Sequence, residues 1–495
     1  MKFTPTTTLF FFCAAALANP VPAPTIVSCL TDGGLNVEQS PNWQTSTTPF
    51  NARFHYTPKA IVYPTRTSDV SKAVQCAVQH GVRVSPLSGG HSYSASGYGS
   101  QDGSLVIMFR DMTEVSYTGD GIVTVQPGAH LGDFALEIYK YGRALAHGLC
   151  PHVGLGGHAG FGGWGLSSRN WGLLIDQVVG ADLVLANGTA VHISPTENLD
   201  LFWGFRGASP SLGIVTQYTM QTHEAPATVW GLTAPKEIGI VANVWQGGKD
   251  IEMAGYYMGN QDDFDRVITS LLSATGPPSA TYVQERGWIA ALTEADGGAP
   301  LATKGTAEPH DTFYAKSLVV PTYSPITKVA LAALVQYFTT APLPANMSWF
   351  IQFELWGGGN SAISSVDARA TAYPHRHHHW TCQFYGRTTA SWPSQGTAYV
   401  NGLVNSITDH MQGTRFGAYA NYLDPELAGW REKYYAAITR DWQEFRRKLR
   451  KDDFVVIRNC PPVSKMKRFK LETILHSPEA ERELQKALHA EPHQQ

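Results

Sequence analysis

Short apolar runs alternate with amphipathic stretches along the first half of the chain. Ala60–Tyr63 is an apolar strand candidate. Thr67-Ser68-Asp69 then reads as the cap of a helix whose apolar face is Val70, Ala73, Val74, Ala77 and Val78. Gly81 ends that helix and Val82-Arg83-Val84 starts the next strand, a β-α-β opening. The pattern predicts further strands at Leu105–Phe109, Ile122–Val125, Gly180–Ala186, Ala190–Ile193 and Ile214–Thr222, and a helix at Asp133–Tyr141. Residues 55–225 therefore read as an α+β unit. Pro226 opens a second mixed region, with helices predicted at Gln261–Leu272 and Ile326–Phe338 and strands at Trp349–Leu355 and Trp380–Tyr385. From Lys448 the chain is charged and poor in periodic apolar residues apart from Phe454–Ile457.

The length of 495 residues fits two or three domains, and 43% hydrophobic with 16% charged residues is globular composition. A net charge of −3 argues against a nucleic-acid partner. Lys2, the apolar stretch Leu9 to Ala18 and the small residues Ala16-Leu17-Ala18 read as a signal peptide over 1–18, too short to span a membrane. The expectation is a secreted protein with no membrane partner, and Asn187 and Asn346 lie in glycosylation sequons. Of six cysteines, Cys13 falls in the leader, leaving Cys29, Cys76, Cys150, Cys382 and Cys460. An odd number leaves at least one without an internal partner, and a Cys29–Cys76 staple is plausible.

Three motifs are candidates for chemistry. Gly160-Phe161-Gly162-Gly163-Trp164-Gly165 matches GxGxxG, but no strand runs into it, so a Rossmann site is rejected. Ser85 to Tyr93 ends a strand in glycines with His91 at the turn, where backbone N–H groups can cradle phosphate; the alternative is an ordinary turn histidine. Cys150 stands alone in the glycine-rich loop 147–165, with pairing to Cys382 or Cys460 as the alternative. The run His375 to His379 points alternate side chains to opposite faces if extended, so no metal site is expected.

The segments SGGHSY (88–93), HGLCPHVGLGGHAGFGGWG (147–165), SRNWGLLID (168–176) and DLFWGFRGASPSLGIVT (200–216) occur in this order. Together they resemble the secreted FAD-linked oxidases of the berberine-bridge and glucooligosaccharide-oxidase type, which have the vanillyl-alcohol-oxidase fold. The resemblance runs from Cys29 to Phe454. It implies a PCMH-type FAD-binding domain in two parts, residues 19–225 and a return segment 411–459 carrying the base. Between them it implies an α+β substrate domain, 226–410, on an antiparallel sheet. Residues 460–495 match no part of the pattern.

The same resemblance implies FAD bound covalently through His91 and Cys150. Ser88, Gly89, Gly90 and Ser92 would lie around it, as would Val153, Gly154, Gly157, His158 and Gly162, and Gly213-Ile214-Val215. Val153 stands where the family controls oxygen access, and a valine there looks like an oxidase. In the segment Tyr419-Ala420-Asn421-Tyr422, Tyr422 would be the general base, with Tyr419 beside it and Glu354 as acid partner. A phenol has a pKa of about 10, so either donors stabilise its anion or proton and hydride leave together. Tyr93, Gln352, Gln383 and Trp356 are candidates for binding sugar. Trp164 replaces a tyrosine common in the family, and residues 240–252, where relatives offer charged sugar-binding groups, show no clear match. The implied function is oxidation of the reducing-end C1 hydroxyl of an oligosaccharide to a lactone by a monomer, with dioxygen giving hydrogen peroxide. Two rivals stand beside it: oxidation of a secondary metabolite, and glycan binding without catalysis.

Overall fold

The computed structural model describes residues 25–39, 47–227, 238–247, 251–275, 278–280, 282–358 and 360–436. The leader, Cys460, the return segment beyond 436 and the C-terminal tail lie outside them. Strands β1 (Asn36–Glu38), β2 (Ala60–Tyr63), β3 (Val84–Leu87) and β4 (Leu105–Met108) form one sheet in the order β1-β2-β4-β3. β4 lies parallel to both β2 and β3, as the β-α-β pattern requires. The connecting helix spans Thr67–Gln79 and buries Val70, Ala73, Val74 and Ala77, whereas Val78 is 46% exposed in its last turn. The expected Thr67 cap is absent. Asp69 instead reaches back and accepts from the Thr65 amide and hydroxyl, at 3.1 and 3.0 Å. The next strand starts at Val84, two residues later than expected, because Gly81, at a φ of +62°, closes the helix and lets the Val82 amide bond Ala77 O at 2.9 Å.

β5 (Val115–Gly119) and β6 (Ile122–Val125) begin a second, antiparallel sheet. β7 (Arg143–Ala144) lies outside it. β8 (Val178–Val184), β9 (Ala190–Ile193) and β10 (Ile214–Gln221) complete it in the order β5-β6-β10-β8-β9. β8 ends two residues earlier than predicted because Leu185 leaves the ladder to close the turn at Asn187-Gly188, its amide bonding Thr189 O at 2.8 Å. The helix Leu131–Tyr139 buries Phe134 and Ile138 against this sheet. β11 (His223–Glu224) pairs with β7.

The third sheet joins β12 (Ile238–Trp245), β13 (Ile251–Tyr257), β14 (Thr312–Pro321), β15 (Met347–Leu355) and β16 (His378–Thr388) in the order β13-β12-β15-β16-β14, antiparallel throughout. One face carries Val244, Leu318, Ile351 and Phe384 into a core shared with Leu334 and Leu403 of the helices Lys328–Thr340 and Gly396–Thr408. The first of these helices starts after Ile326 because Thr327 caps it, its hydroxyl accepting from the Ala330 amide. The opposite face of the sheet is free to build a site.

Cys29 and Cys76 form a disulfide between the helix Ile26–Asp32 and the helix Thr67–Gln79. Cys150 and Cys382 are unpaired, so these two are not bonded to each other. The histidine run serves packing: His375 bonds Lys433 O at 2.9 Å, Arg376 pairs with Asp176, and His378 packs on Trp356. No helix among the described residues is long and apolar enough to cross a membrane. The Arg376–Asp176 pair is bidentate, with both bonds at 2.7 Å, and ties the entry to β16 to the glycine-rich half of the chain. Arg376 is wholly buried. Replacing it with alanine leaves the Asp176 carboxylate, only 10% exposed, without its cation, and chemical denaturation of Arg376→Ala is expected to show a loss of about 3–5 kcal/mol.

Candidate active site

Two glycine-rich loops meet behind β3. Gly89 packs so closely on residues 152–154 that a Cβ there would strike the Gly154 amide and the His152 carbonyl. Glycine allows this backbone approach because it carries no side chain. The Ser88 hydroxyl donates to Pro127 O at 2.5 Å and fixes one loop. In the other, the Gly148 amide donates to His158 Nε2 at 2.9 Å. Burial holds His158 neutral, down at about 3, so that nitrogen remains an acceptor. Ser92 bonds Ser96 at 2.8 Å and closes the turn after His91.

Both loops open on one cavity of about 2500 Å³. Ser88, Gly89, Gly90, His91, Ser92 and Tyr93 line it from the first loop, and Cys150, Val153, Gly154, Gly157 and His158 from the second. Gly213 and Val215 line it too. Ile214 does not: it is 1% exposed and faces the core beneath the helix Thr67–Gln79. Gly162 also stands back, with the Tyr419 ring against it. The His91 imidazole stacks on Phe50, centroids 4.3 Å apart, and its buried Nε2 has no partner in the protein. Burial, with His130, His152 and His310 nearby, pushes it down to about 3, so the ring is neutral. Cys150 is a free thiol open to the cavity.

The third sheet supplies the facing wall, and strand register orders it into rungs. Glu252, Asn243, Gln352, Gln383 and Ser317 lie directly opposite one another across all five strands. Gln352 donates to Asn243 at 3.1 Å, Asn243 to Glu252 at 3.2 Å, and Gln383 to Tyr93 at 2.6 Å. Two residues along is an aromatic rung, Trp245, Phe350 and Tyr385, with neighbouring centroids 5.3 and 4.9 Å apart. Two residues the other way is Glu354, wholly buried.

Glu354 reaches the cavity only through Tyr422, whose hydroxyl donates to its Oε1 at 2.5 Å. Tyr422 lines the cavity and stacks on Tyr93 at 5.5 Å. Burial pushes the Glu354 carboxyl up to about 7, although the Tyr422 and Trp356 hydrogen bonds pull it down. Burial, together with the Glu354 charge, raises Tyr422 well above an ordinary phenol. The Tyr419 hydroxyl accepts from the Gly163 and Trp164 amides, at 3.0 and 3.1 Å, and so anchors the cysteine loop. Trp356 was expected against sugar, but it is 0% exposed and stacks on Trp164 in the core. Its indole donates to Glu354, and a buried partner draws an amphipathic ring inward.

Residues 58–194 match the family model of an FAD binding domain. The chain is 35% identical to the chitooligosaccharide oxidase of Gibberella zeae, over 83% of this chain and 88% of that one. The chain belongs to the FAD-linked oxidases of the berberine-bridge and glucooligosaccharide-oxidase type. Its fold matches the solved xylooligosaccharide oxidase from Myceliophthora thermophila, described in complex with xylobiose, with a TM-score of 0.81, 32% identity and coverage of 90% and 100%. It also matches the glucooligosaccharide oxidase from Acremonium strictum, described with a 6-S-cysteinyl, 8α-N1-histidyl FAD, with a TM-score of 0.81, 30% identity and coverage of 89% and 100%.

The residues present fit FAD. An unpartnered, neutral imidazole and a free thiol face one cavity between glycine loops, and Gly157 has open space where a Cβ would stand. In this FAD-linked oxidase, sequence reasoning missed Phe50, which orients His91, and the rung residues Asn243, Trp245, Phe350 and Tyr385. The available signal was Asn243, the single polar residue in the apolar run Ile238–Trp245. If both side chains bond the flavin, His91→Ala and Cys150→Ala will each keep flavin through acid precipitation, and the double variant will release it. The mass of the denatured protein reads each outcome.

Proposed function

We propose that the protein oxidises the reducing-end C1 hydroxyl of an oligosaccharide to a lactone and passes the electrons to dioxygen as hydrogen peroxide. The observation that carries this reading is the Tyr422–Glu354 pair, set in one cavity with His91 and Cys150. FAD, held by His91 and Cys150, would supply the hydride acceptor. The chain's own residues bind the alcohol, orient it and take its proton. Tyr422 accepts the hydroxyl proton as its own proton passes to Glu354 Oε1, so no free phenolate is needed. Its raised pKa favours proton and hydride leaving together over prior ionisation.

The wall of rungs supports a sugar substrate. The aromatic rung offers flat faces for pyranose C–H groups, and the polar rung offers amides for hydroxyls. Asn243 and Glu252 occupy the stretch where the sequence showed no charged match, so Glu252 supplies a carboxylate there after all. Val153, beside Cys150 on the cavity wall, supports an oxidase. The Cys29–Cys76 disulfide, the leader pattern and the exposed Asn187 and Asn346 support a secreted glycoprotein.

A peroxide assay with cello-, xylo-, malto- and chito-oligosaccharides is expected to give turnover on at least one series. Peroxide from none of them, with the flavin intact, would overturn the sugar assignment and favour a secondary-metabolite alcohol. Tyr422→Phe should lower kcat by about 10²–10⁴-fold while the flavin stays bound. Glu354 accepts a proton only when ionised, so kcat is expected to rise with pH through about 7 and level off above it.

A further inference from the structure

Glu354 uses both carboxylate oxygens inside the protein. Oε1 accepts from Tyr422 at 2.5 Å, and Oε2 accepts the indole N–H of Trp356 at 2.9 Å. We propose that Trp356 is a positioning residue for the base. Its indole holds Glu354 ionised and turned toward Tyr422, and closes the far oxygen to proton transfer. The inference rests on the Tyr422–Glu354 base proposed above, but not on which alcohol is oxidised.

Indole nitrogen is a donor only, with no lone pair to offer. A proton that reaches Glu354 therefore has no onward acceptor through Oε2 and returns through Tyr422 to the cavity. The substrate's proton stays where dioxygen is reduced. The indole is locked in place: it stacks on Trp164 at 5.7 Å, meets the Tyr419 ring edge-on at 4.9 Å and packs on His378 at 5.0 Å.

The groups around Glu354 leave it dependent on these two bonds. Val241 of β12 and Thr381 of β16 flank it across the sheet. The titratable groups facing it are Tyr422 and Tyr419, Tyr93 from the loop after β3 and Tyr373 ahead of β16, with Cys382 next to it in β16 but on the opposite face of the sheet. Burial raises the pKa of every one, so each is neutral near pH 7. His378, behind the indole, is also held neutral by burial. None of these groups is a cation, so hydrogen bonds favour the charged carboxyl against burial.

Trp356→Phe keeps a ring and removes the donor. The resting holoenzyme, titrated by infrared difference spectroscopy, should show the Glu354 carboxyl protonating at least about one unit above the wild-type value of about 7. The acid limb of kcat should move with it. Trp356→His, which keeps a ring N–H, should bring the midpoint back toward wild type. An unmoved midpoint in folded Trp356→Phe, or an equal rise in both variants, would overturn the proposal. Should the phenylalanine variant not fold, the indole N–H resonance of Trp356 in the wild type decides: it should shift with the Glu354 midpoint, and a flat response counts against the proposal. The midpoint is read without substrate, so a protein that oxidises no sugar still tests Trp356.

Discussion

The site depends on two glycines that touch. Gly89 and Gly154 come from loops far apart in the chain, and a Cβ on either would fall on the backbone of the other. That contact puts the imidazole of one loop and the thiol of the other on one cavity wall. The proposed base segment is fastened to the same structure. Asn421 donates to His158 O at 3.2 Å and to the Tyr419 hydroxyl at 2.8 Å, and Tyr419 in turn receives the Gly163 and Trp164 amides. The loop with the thiol therefore cannot shift without moving the segment that holds Tyr422. Cofactor placement and base placement are one mechanical problem in this fold, met by the hydrogen bonds that the Asn421 and Tyr419 side chains make to the glycine-rich loop.

Electrostatics divides the work within the proposed base. A phenol raised well above its usual range is a poor reservoir for negative charge, yet it is the group that faces the cavity. The carboxyl raised to about 7 holds charge near neutral pH, yet it is wholly buried. A hydrogen bond joins the two, so the phenol conducts the proton and the carboxylate accepts it. Glutamate reaches Tyr422 from a strand position flanked by the polar rung, and the same carboxylate has a second oxygen free for Trp356.

The strands of the first two sheets were legible to the residue at β2, β6 and β9, because each is a short apolar run bounded by turn residues. Helix and strand edges shifted where local hydrogen bonds overrode propensity, at Asp69, at Gly81 and at the Asn187-Gly188 turn. β12, β13 and β14 escaped notice for different reasons. Eight of the ten residues of β14 are buried, so period-two alternation is lost there. β12 is apolar but for Asn243, and the meaning of that residue emerges only when register sets it opposite Gln352. Of the residues the motif resemblance points to, His91, Cys150 and Tyr422 line the cavity, whereas Ile214 and Gly162 do not, because glycine-rich and apolar neighbourhoods look alike in sequence whether they face a cavity or a core. Trp356 was misjudged because a tryptophan is both a stacking surface and a hydrogen-bond donor, and only the packing around Trp164 decides between them.

A lone thiol in a chain that also forms a disulfide invites scrambling, and the environment of Cys150 answers that hazard. Cys150 is exposed on the cavity wall, where the protein packed around it and the Asp296 carboxylate raise the thiol's pKa above its ordinary value. Exchange and oxidation both proceed through the thiolate, so a raised pKa slows both at this exposed sulfur. Among the described residues the other free thiol, Cys382, lies buried on the strand face turned to the helical core. The same arrangement leaves His91 neutral and nucleophilic without any proton transfer. Of the two proposed attachment points, the imidazole is thus ready as folded, while the sulfur must first lose its proton. This asymmetry makes the histidine bond the one expected to form first.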